Sequence, residues 1–210
     1  MSRHALLAVT LAVATASPRL VAQTHARQTA RWTVHGSLGL RYGTALVRDS
    51  IVTALEVTQH LGPTLGGGVT SPVQNGWSGE AAVDLTLTGL TREEAGARVD
   101  LGGLRTFSVT AAVRREIAPT LSARVGAGAL FYFPATRTGL FRSGSDAVTP
   151  LGIVGVGYAP AWGARYGFAL DVRYDIHRFF TPALRAAGFA DGRFVHRVAV
   201  GIRAGFGGER

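Results

Sequence analysis

Apolar and polar residues alternate along most of the chain after residue 31. Within residues 165–177, Tyr166, Leu170 and Ile176 fall on one parity, and charged or small residues fall on the other. A period of two predicts β-strands with one apolar and one polar face, and helical periodicity is nearly absent. The pattern predicts eight strands, at 32–43, 51–61, 77–90, 106–117, 121–133, 151–158, 165–177 and 196–206. The face of 151–158 is ambiguous, which suggests a β-bulge.

The connections between these strands differ in length. Residues 118–120 and 159–161 form tight connections, whereas 89–104, 134–149 and 179–192 are longer loops. Short and long connections alternate along the C-terminal half, as in an up-and-down barrel that has turns at one end and loops at the other. The sequence therefore predicts an all-β fold, an eight-stranded antiparallel up-and-down transmembrane β-barrel.

Residues 62–76 leave a second strand count open. If they form an irregular connection, the barrel has eight strands; if 64–72 is a strand, it has ten. Eight strands place the tryptophans Trp32, Trp77 and Trp162 at one end, as half of an aromatic girdle, so we favour eight. The other half of the predicted girdle consists of Tyr42, Phe131, Phe133, Tyr174 and Phe194.

Alternation alone does not decide which face is inside. The polar face is rich in glycine, which suits the crowded interior of a small barrel, and its charges nearly cancel. Buried charges must be paired, so we expect an interior charge network. Its predicted members are Arg41, Glu56, Glu80, Asp84, Arg114, Glu116, Arg124, Arg165, Asp171, Arg173, Asp175, Arg197 and Arg203.

The N-terminus has the pattern of an exported protein. A short basic start, an apolar stretch at residues 5–16 and small residues predict a signal peptide at 1–22, with cleavage between 16 and 26. A polar leader at 23–30, a single barrel domain at 31–206 and a C-terminal tail at 207–210 complete the predicted organisation. We expect the mature chain to have no transmembrane helix.

Composition narrows the function further. The chain carries a net charge of +9, but its arginines are dispersed rather than clustered, which argues against nucleic-acid binding. No cysteine is present, which excludes thiolate metal sites and cysteine nucleophiles. We expect no cofactor and no bound metal, because His60, His177 and Glu56 lack a ligand spacing motif.

The signal peptide, the alternating strands and the final segment VHRVAVGIRAGF resemble the small OmpA/OmpX/OmpW-like outer-membrane β-barrel proteins. In that group the last strand carries alternating apolar residues and a terminal aromatic that the assembly machinery reads. Val198, Val200, Ile202 and Phe206 match this pattern, although GGER follows Phe206. The resemblance implies the cell outer membrane, with its lipids, lipopolysaccharide and assembly machinery as partners, and we expect a monomer.

Two sets of residues could carry chemistry. His35 and Ser37 share a strand face, as a lipid A-type hydrolase would need, but that face is the predicted interior. Asp171 and Asp175 could act as an acid/base pair, but Arg173 lies between them and would hold both ionised. We therefore interpret the first pair as interior polar residues and the second as part of a salt-bridge ladder.

The loop at 179–192 is unusually apolar, with Phe179, Phe180, Leu184 and Phe189. It suits either a surface partner or a loop folded onto the barrel rim, with Thr181 capping a short helix. The leading hypothesis is a non-enzymatic barrel with a plugged, salt-bridged interior and a structural or adhesive role through its extracellular loops. The alternatives are a passive channel for small solutes and, third, a lipid-modifying enzyme.

Overall fold

The computed structural model describes residues 32–49, 55–135, 148–181, 185–186 and 192–206. In chain order the elements are β1 (Thr33–Gly43), β2 (Val47–Asp49), β3 (Leu55–Gln59), β4 (Gly62–Pro72), β5 (Trp77–Glu94), β6 (Ala97–Ala118), β7 (Leu121–Pro134), β8 (Val148–Tyr158), α1 (Ala161–Tyr166), β9 (Phe168–Phe179) and β10 (Arg193–Phe206). The expected signal peptide, the polar leader and the C-terminal tail lie outside the described residues.

Eight of these strands close into a ring. Around the ring the order is β1, β4, β5, β6, β7, β8, β9 and β10, and β10 pairs again with β1. Every pairing is antiparallel. The predicted eight-stranded antiparallel barrel is thus confirmed. Its connections are short at the end where β1 begins, here called the turn end, and the opposite end is called the loop end.

The second strand of the ring differs from the one that the sequence predicted. Residues 62–72 form β4, which lies between β1 and β5, so the interpretation of 62–76 as an irregular connection is wrong. The strand predicted at 51–61 does not enter the ring, because its described part, β3, pairs only with β2 and with the outer end of β5. Asn75 and Gly76, both with positive φ, form the tight turn between β4 and β5.

The loop predicted at 89–104 is in fact a β-hairpin. β5 and β6 remain paired from Trp77 to the turn at Ala95 and Gly96, far beyond the rest of the ring. Together with β2 and β3, their outer ends form a four-stranded sheet at the loop end, which we call the loop-end sheet. It extends the barrel wall past the rim on one side.

Two smaller predictions about the C-terminal half also change. β8 pairs with β7 and β9 without a register shift, so the ambiguous face of 151–158 does not come from a bulge. The strand expected from residue 165 begins only at Phe168, because residues 161–166 form α1. This short helix ends at Gly167, whose φ of 75° favours glycine, and Gly205 N–H donates to the Gly167 carbonyl.

The barrel wall has an apolar outer face and a polar inner face along most of its length. Exposed outward residues include Leu38, Leu65, Val125, Leu170 and Ile202, each more than half exposed. The arginines and carboxylates opposite them are buried. This is the polarity of a transmembrane barrel, whose outer face meets lipid. Among the described residues, no helix is long and apolar enough to cross a membrane.

Candidate functional site

Four charged side chains form a closed ring inside the barrel near the turn end. Glu80 on β5 accepts from Arg124 on β7 at 2.7 Å and from Arg203 on β10 at 2.6 Å. Asp171 on β9 pairs with the same two arginines, at 3.5 Å from Arg203 and closely with Arg124. Each ion in this turn-end cluster therefore has two partners of opposite charge, which offsets the cost of removing it from water.

A second group of charges, the mid-barrel cluster, lies farther toward the loop end. Arg173 on β9 contacts Asp84 on β5 at 2.5 Å and Asp175 on its own strand at 2.7 Å. Arg41 on β1 reaches Asp175 at 3.7 Å, and Ser108 donates to Asp84 at 3.3 Å. One face of β9 thus contributes to both ion clusters, through Asp171, Arg173 and Asp175. Arg173 lies between the two aspartates and contacts Asp175.

Three residues predicted for the interior network lie elsewhere. Glu56 sits on β3, outside the ring, where it pairs with the exposed Arg48 at 2.9 Å. Glu116 is exposed near the end of β6, where the register with β7 becomes irregular. Arg165 lies in α1 rather than on a strand. The other two predicted members, Arg114 and Arg197, do face inward.

Glycine provides the space that the arginines fill. A Cβ atom added at Gly155 on β8 would lie 2.7 Å from Arg124 Nε and 3.0 Å from the Val172 carbonyl oxygen. Gly157, two residues on, faces Ser122 and the guanidinium groups of Arg203 and Arg114. Larger residues at these inward positions would collide with the turn-end cluster.

The loop end of the interior is filled by apolar side chains instead. Leu46 and Val57 come from the chain segment that folds over the rim, and Leu130, Tyr132 and others come from the ring itself. We call this group the apolar cap; its members are Leu46, Val47, Val57, Leu90, Leu104, Leu130, Tyr132, Leu151, Ile153, Phe179 and Val195. It explains the ambiguous face of β8, where inward positions are apolar near the loop end and glycine near the turn end.

A cavity of about 40 Å³ lies inside the barrel wall. It is lined by residues of both ion clusters, together with His35 and Ser37. That is room for a water molecule or two. His35 is buried and faces this cavity, so the His35 and Ser37 pair lies inside the wall, away from lipid.

The histidines considered as ligands are separated by the fold. His177 is buried beside Tyr132, whose hydroxyl group contacts its Nε2, while His60 contacts the Thr91 hydroxyl at 2.5 Å on the loop-end sheet. Within the described ranges, no group of three or more His, Asp or Glu side chains could hold a metal ion. The Tyr132–His177 contact was missed, since β7 and β9 are not neighbours in sequence and only the shared inward parity pointed to it.

The aromatic residues predicted as a girdle lie on the outer face. Trp32, Trp77 and Trp162 are at the turn end and are 42% to 66% exposed, although Trp162 belongs to α1 rather than to a strand. At the other end, Tyr42, Phe133 and Phe194 are exposed, and Tyr174 stacks on His196 at 5.9 Å. Phe131 packs against Phe107 on the neighbouring strand.

The residues predicted as an assembly signal all belong to β10. Val198, Val200 and Ile202 point outward and are 42% to 56% exposed. Phe206 is the last residue of the strand and lies opposite Val34 of β1. The closing strand therefore presents an apolar row to lipid.

Loop 179–192 is described only in part. Phe179 and Thr181 are buried, and Phe179 packs edge-on against Tyr132 at 5.2 Å, so this phenylalanine serves the apolar cap. Arg185 N–H donates to the Thr181 carbonyl, which begins a helical turn, and the Arg185 guanidinium lies 4.7 Å from the Phe180 ring. Leu184 and Phe189 lie outside the described residues.

No protein-family model matches the sequence, and no curated protein is similar to it. Among solved structures, the chain is similar to Ail, the attachment invasion locus protein of Yersinia pestis, in complex with the heparin analogue sucrose octasulfate. The TM-score is 0.50 at 15% identity, over 83% of this chain and 99% of that one. OprG from Pseudomonas aeruginosa (TM-score 0.47, 11% identity, 84% and 96% covered) and Neisserial surface protein A (0.40, 14%, 83% and 97%) are further matches.

These neighbours are small outer-membrane barrels of the OmpA/OmpX-like group, and the chain shares the eight-stranded fold. A closed antiparallel barrel satisfies every backbone polar group of its wall, and an apolar outer face lets it span a bilayer. Such barrels are built into outer membranes. The chain therefore has the eight-stranded fold and the outward apolar face of a transmembrane β-barrel.

Proposed function

We propose that this protein is a sealed, non-enzymatic outer-membrane barrel that acts through its loop end, as a surface-interaction or adhesive protein. One observation carries the proposal: two ion clusters and an apolar cap fill the interior, while the loop-end sheet extends the wall beyond the rim. A filled interior leaves the exposed loop end as the part that can meet a partner.

A sulfated polysaccharide is the partner class that we propose for this surface. Ail, which has the same fold, binds a heparin analogue. On this chain, Arg98 and Arg105 are exposed on the outer part of β6, whereas Arg48 and Arg92 are paired with Glu56 and Glu94. Unpaired surface arginines favour polyanions, through contacts that salt screens.

The first experiment tests the sealed interior. The purified protein, inserted into a planar lipid bilayer, should show no conductance above the background of the empty bilayer. A defined single-channel conductance would favour the alternative function, a passive conduit for small solutes.

The second experiment tests the surface role. Binding to immobilised heparin should fall at least tenfold when Arg98 and Arg105 are both replaced by Gln, and it should weaken with salt. Arg115→Gln, at the turn end, is the matched control and should bind as the unmodified protein does. Binding that is equal in all three proteins would exclude the loop-end sheet, and absence of binding would leave the structural role.

The assembly machinery, lipids and lipopolysaccharide are further partners that we propose from the outer face of the barrel. Val198, Val200 and Ile202 offer the outward row that an assembly machine could read, and lipids and lipopolysaccharide would contact the apolar belt. We also propose that the protein is a monomer, and that loop 179–192 contributes to the partner surface beside the loop-end sheet. A lipid hydrolase is disfavoured because His35 and Ser37 lie inside the wall.

A further inference from the structure

Two buried arginines, Arg41 and Arg197, are diagonal neighbours on the inner wall. β1 and β10 pair with Gly43 opposite Arg197 and with Arg41 opposite Ala199. Both side chains face inward, and each residue is no more than 3% exposed. Diagonal positions on adjacent strands are close enough for long side chains to meet.

Both guanidinium groups also reach the same place on the opposite wall. Arg41 donates to the Thr86 hydroxyl at 3.1 Å, and Arg197 donates to the Thr106 hydroxyl at 2.8 Å. Thr86 on β5 and Thr106 on β6 are direct register partners. The two cations are thus brought toward the same part of the wall, and each donates there to a neutral hydroxyl group.

The carboxylates of the interior do not neutralise this pair. Among the described residues, six arginines face the interior, and four carboxylates accompany them; the arginines are Arg41, Arg114, Arg124, Arg173, Arg197 and Arg203, and the carboxylates are Glu80, Asp84, Asp171 and Asp175. Arg41 shares Asp175 with Arg173. Within the described part of the chain, Arg197 has no carboxylate within salt-bridge distance.

Each guanidinium also keeps a buried N–H group without an acceptor. In the described residues, Arg41 Nε and Arg197 Nη1 are both inaccessible to solvent and make no hydrogen bond. A buried N–H group on a charged side chain is less costly when an anion accepts from it than when it has no acceptor. The two donors without acceptors thus belong to two like charges on diagonal positions of neighbouring strands.

We propose that Arg41 and Arg197 bind a small monovalent inorganic anion, of the chloride class, between their guanidinium groups. The anion offsets the repulsion between the two cations and accepts from the two N–H groups that lack partners. Arg41 also lines the interior cavity of about 40 Å³, so there is free space on its side of the pair. Arg197 also adjoins the apolar cap, since Thr106 lies opposite Tyr132, and the cap shields the ion from water.

Chloride dependence of stability tests the site. The midpoint temperature of the heat-dependent gel shift is measured in detergent while chloride replaces gluconate at constant ionic strength. In the unmodified protein we expect the midpoint to rise by about 5 °C at saturation, because the ion binds only the folded barrel. Arg197→Gln should lose this response, whereas Arg114→Gln, which removes an interior arginine at the turn end, should keep it.

A crystal grown in bromide gives an independent measurement on the unmodified protein, which is needed if Arg197→Gln does not fold. An anomalous peak within hydrogen-bonding reach of Arg41 Nε and Arg197 Nη1 supports the proposal. Either of two results overturns it. One is a midpoint that responds equally to chloride in the unmodified protein and in Arg197→Gln. The other is a crystal grown in bromide that shows no anomalous peak at this position.

Discussion

Toward the turn end the barrel interior is filled by arginines and carboxylates, and toward the loop end it is filled by leucine, isoleucine, valine and aromatic rings. Both layers lie inside the same ring of strands. They differ in how each side chain depends on its neighbours. A charge such as Arg173 requires two particular carboxylates, whereas Leu130 requires only apolar neighbours of suitable size.

This difference teaches that the two layers resist change unequally. Removing one ion of a buried set leaves its partner uncompensated, so the cost is concentrated in single residues. Removing one apolar side chain from the cap loses contacts and leaves a cavity, a cost that scales with the missing volume. The charged layer should therefore fail abruptly, and the cap should weaken gradually.

Arg173→Glu should have the largest effect. Loss of one partner from a buried ion pair costs about 3–5 kcal/mol, and a glutamate at this position would also place a third negative charge beside Asp84 and Asp175. We expect the variant to lose more than about 5 kcal/mol of unfolding free energy and to fail to refold at moderate urea. The urea midpoint in detergent measures this.

Arg115→Glu is the control for that reversal. Arg115 also lies on a strand of the ring, β6, but its side chain is exposed on the outer side at the turn end. Its guanidinium lies 5.1 Å from the Trp77 ring. Reversal there should change the unfolding free energy by about 1 kcal/mol or less. Equal losses in the two variants would mean that the interior charges do not act as a buried network.

Phe179→Ala tests the apolar cap with a smaller expected effect. Phe179 is 1% exposed and packs on Tyr132, so its truncation should cost about 3–5 kcal/mol and lower the unfolding midpoint without abolishing folding. Because the two ion clusters remain, the variant should still show no conductance in a planar bilayer. Conductance gained by this variant alone would show that the cap, and not the ion layer, seals the barrel.

The charged layer could be predicted from the sequence, but the cap could not. Arg41, Asp84 and Arg173 occur on the polar parity of alternating segments, so their inward orientation follows from the period alone. Near the loop end, inward positions such as Leu151 and Ile153 are as apolar as the outward ones. The alternation therefore does not distinguish inward from outward positions there. Only the folded structure shows that residues beyond the rim cover Leu151 and Ile153.

The misassigned second strand has a local physical reason. Three consecutive glycines, Gly66 to Gly68, hide the alternation of β4, because glycine contributes neither an apolar nor a polar side chain. The dipeptide Asn75-Gly76 was the available signal, since it favours the tight turn of a hairpin and so predicts strands on both sides. No turn dipeptide of this kind marks the continuation of β5 beyond residue 88. The first turn residues after that point are Ala95 and Gly96.

Arg48→Ala should have the smallest effect on the free energy of unfolding, because it removes a charge that lies outside both interior layers. Its guanidinium pairs with Glu56 on the loop-end sheet, but 54% of the Arg48 side chain is exposed, so water already solvates most of the charge. Loss of such a pair costs about 0–1 kcal/mol, which salt should reduce further. We expect the urea midpoint to move within that range at low salt and to match the unmodified protein at high salt. A loss as large as that of Phe179→Ala would instead mean that the loop-end sheet is held by its surface charges, in which case the apolar residues beneath it, Leu46 and Val57, contribute less than their burial implies.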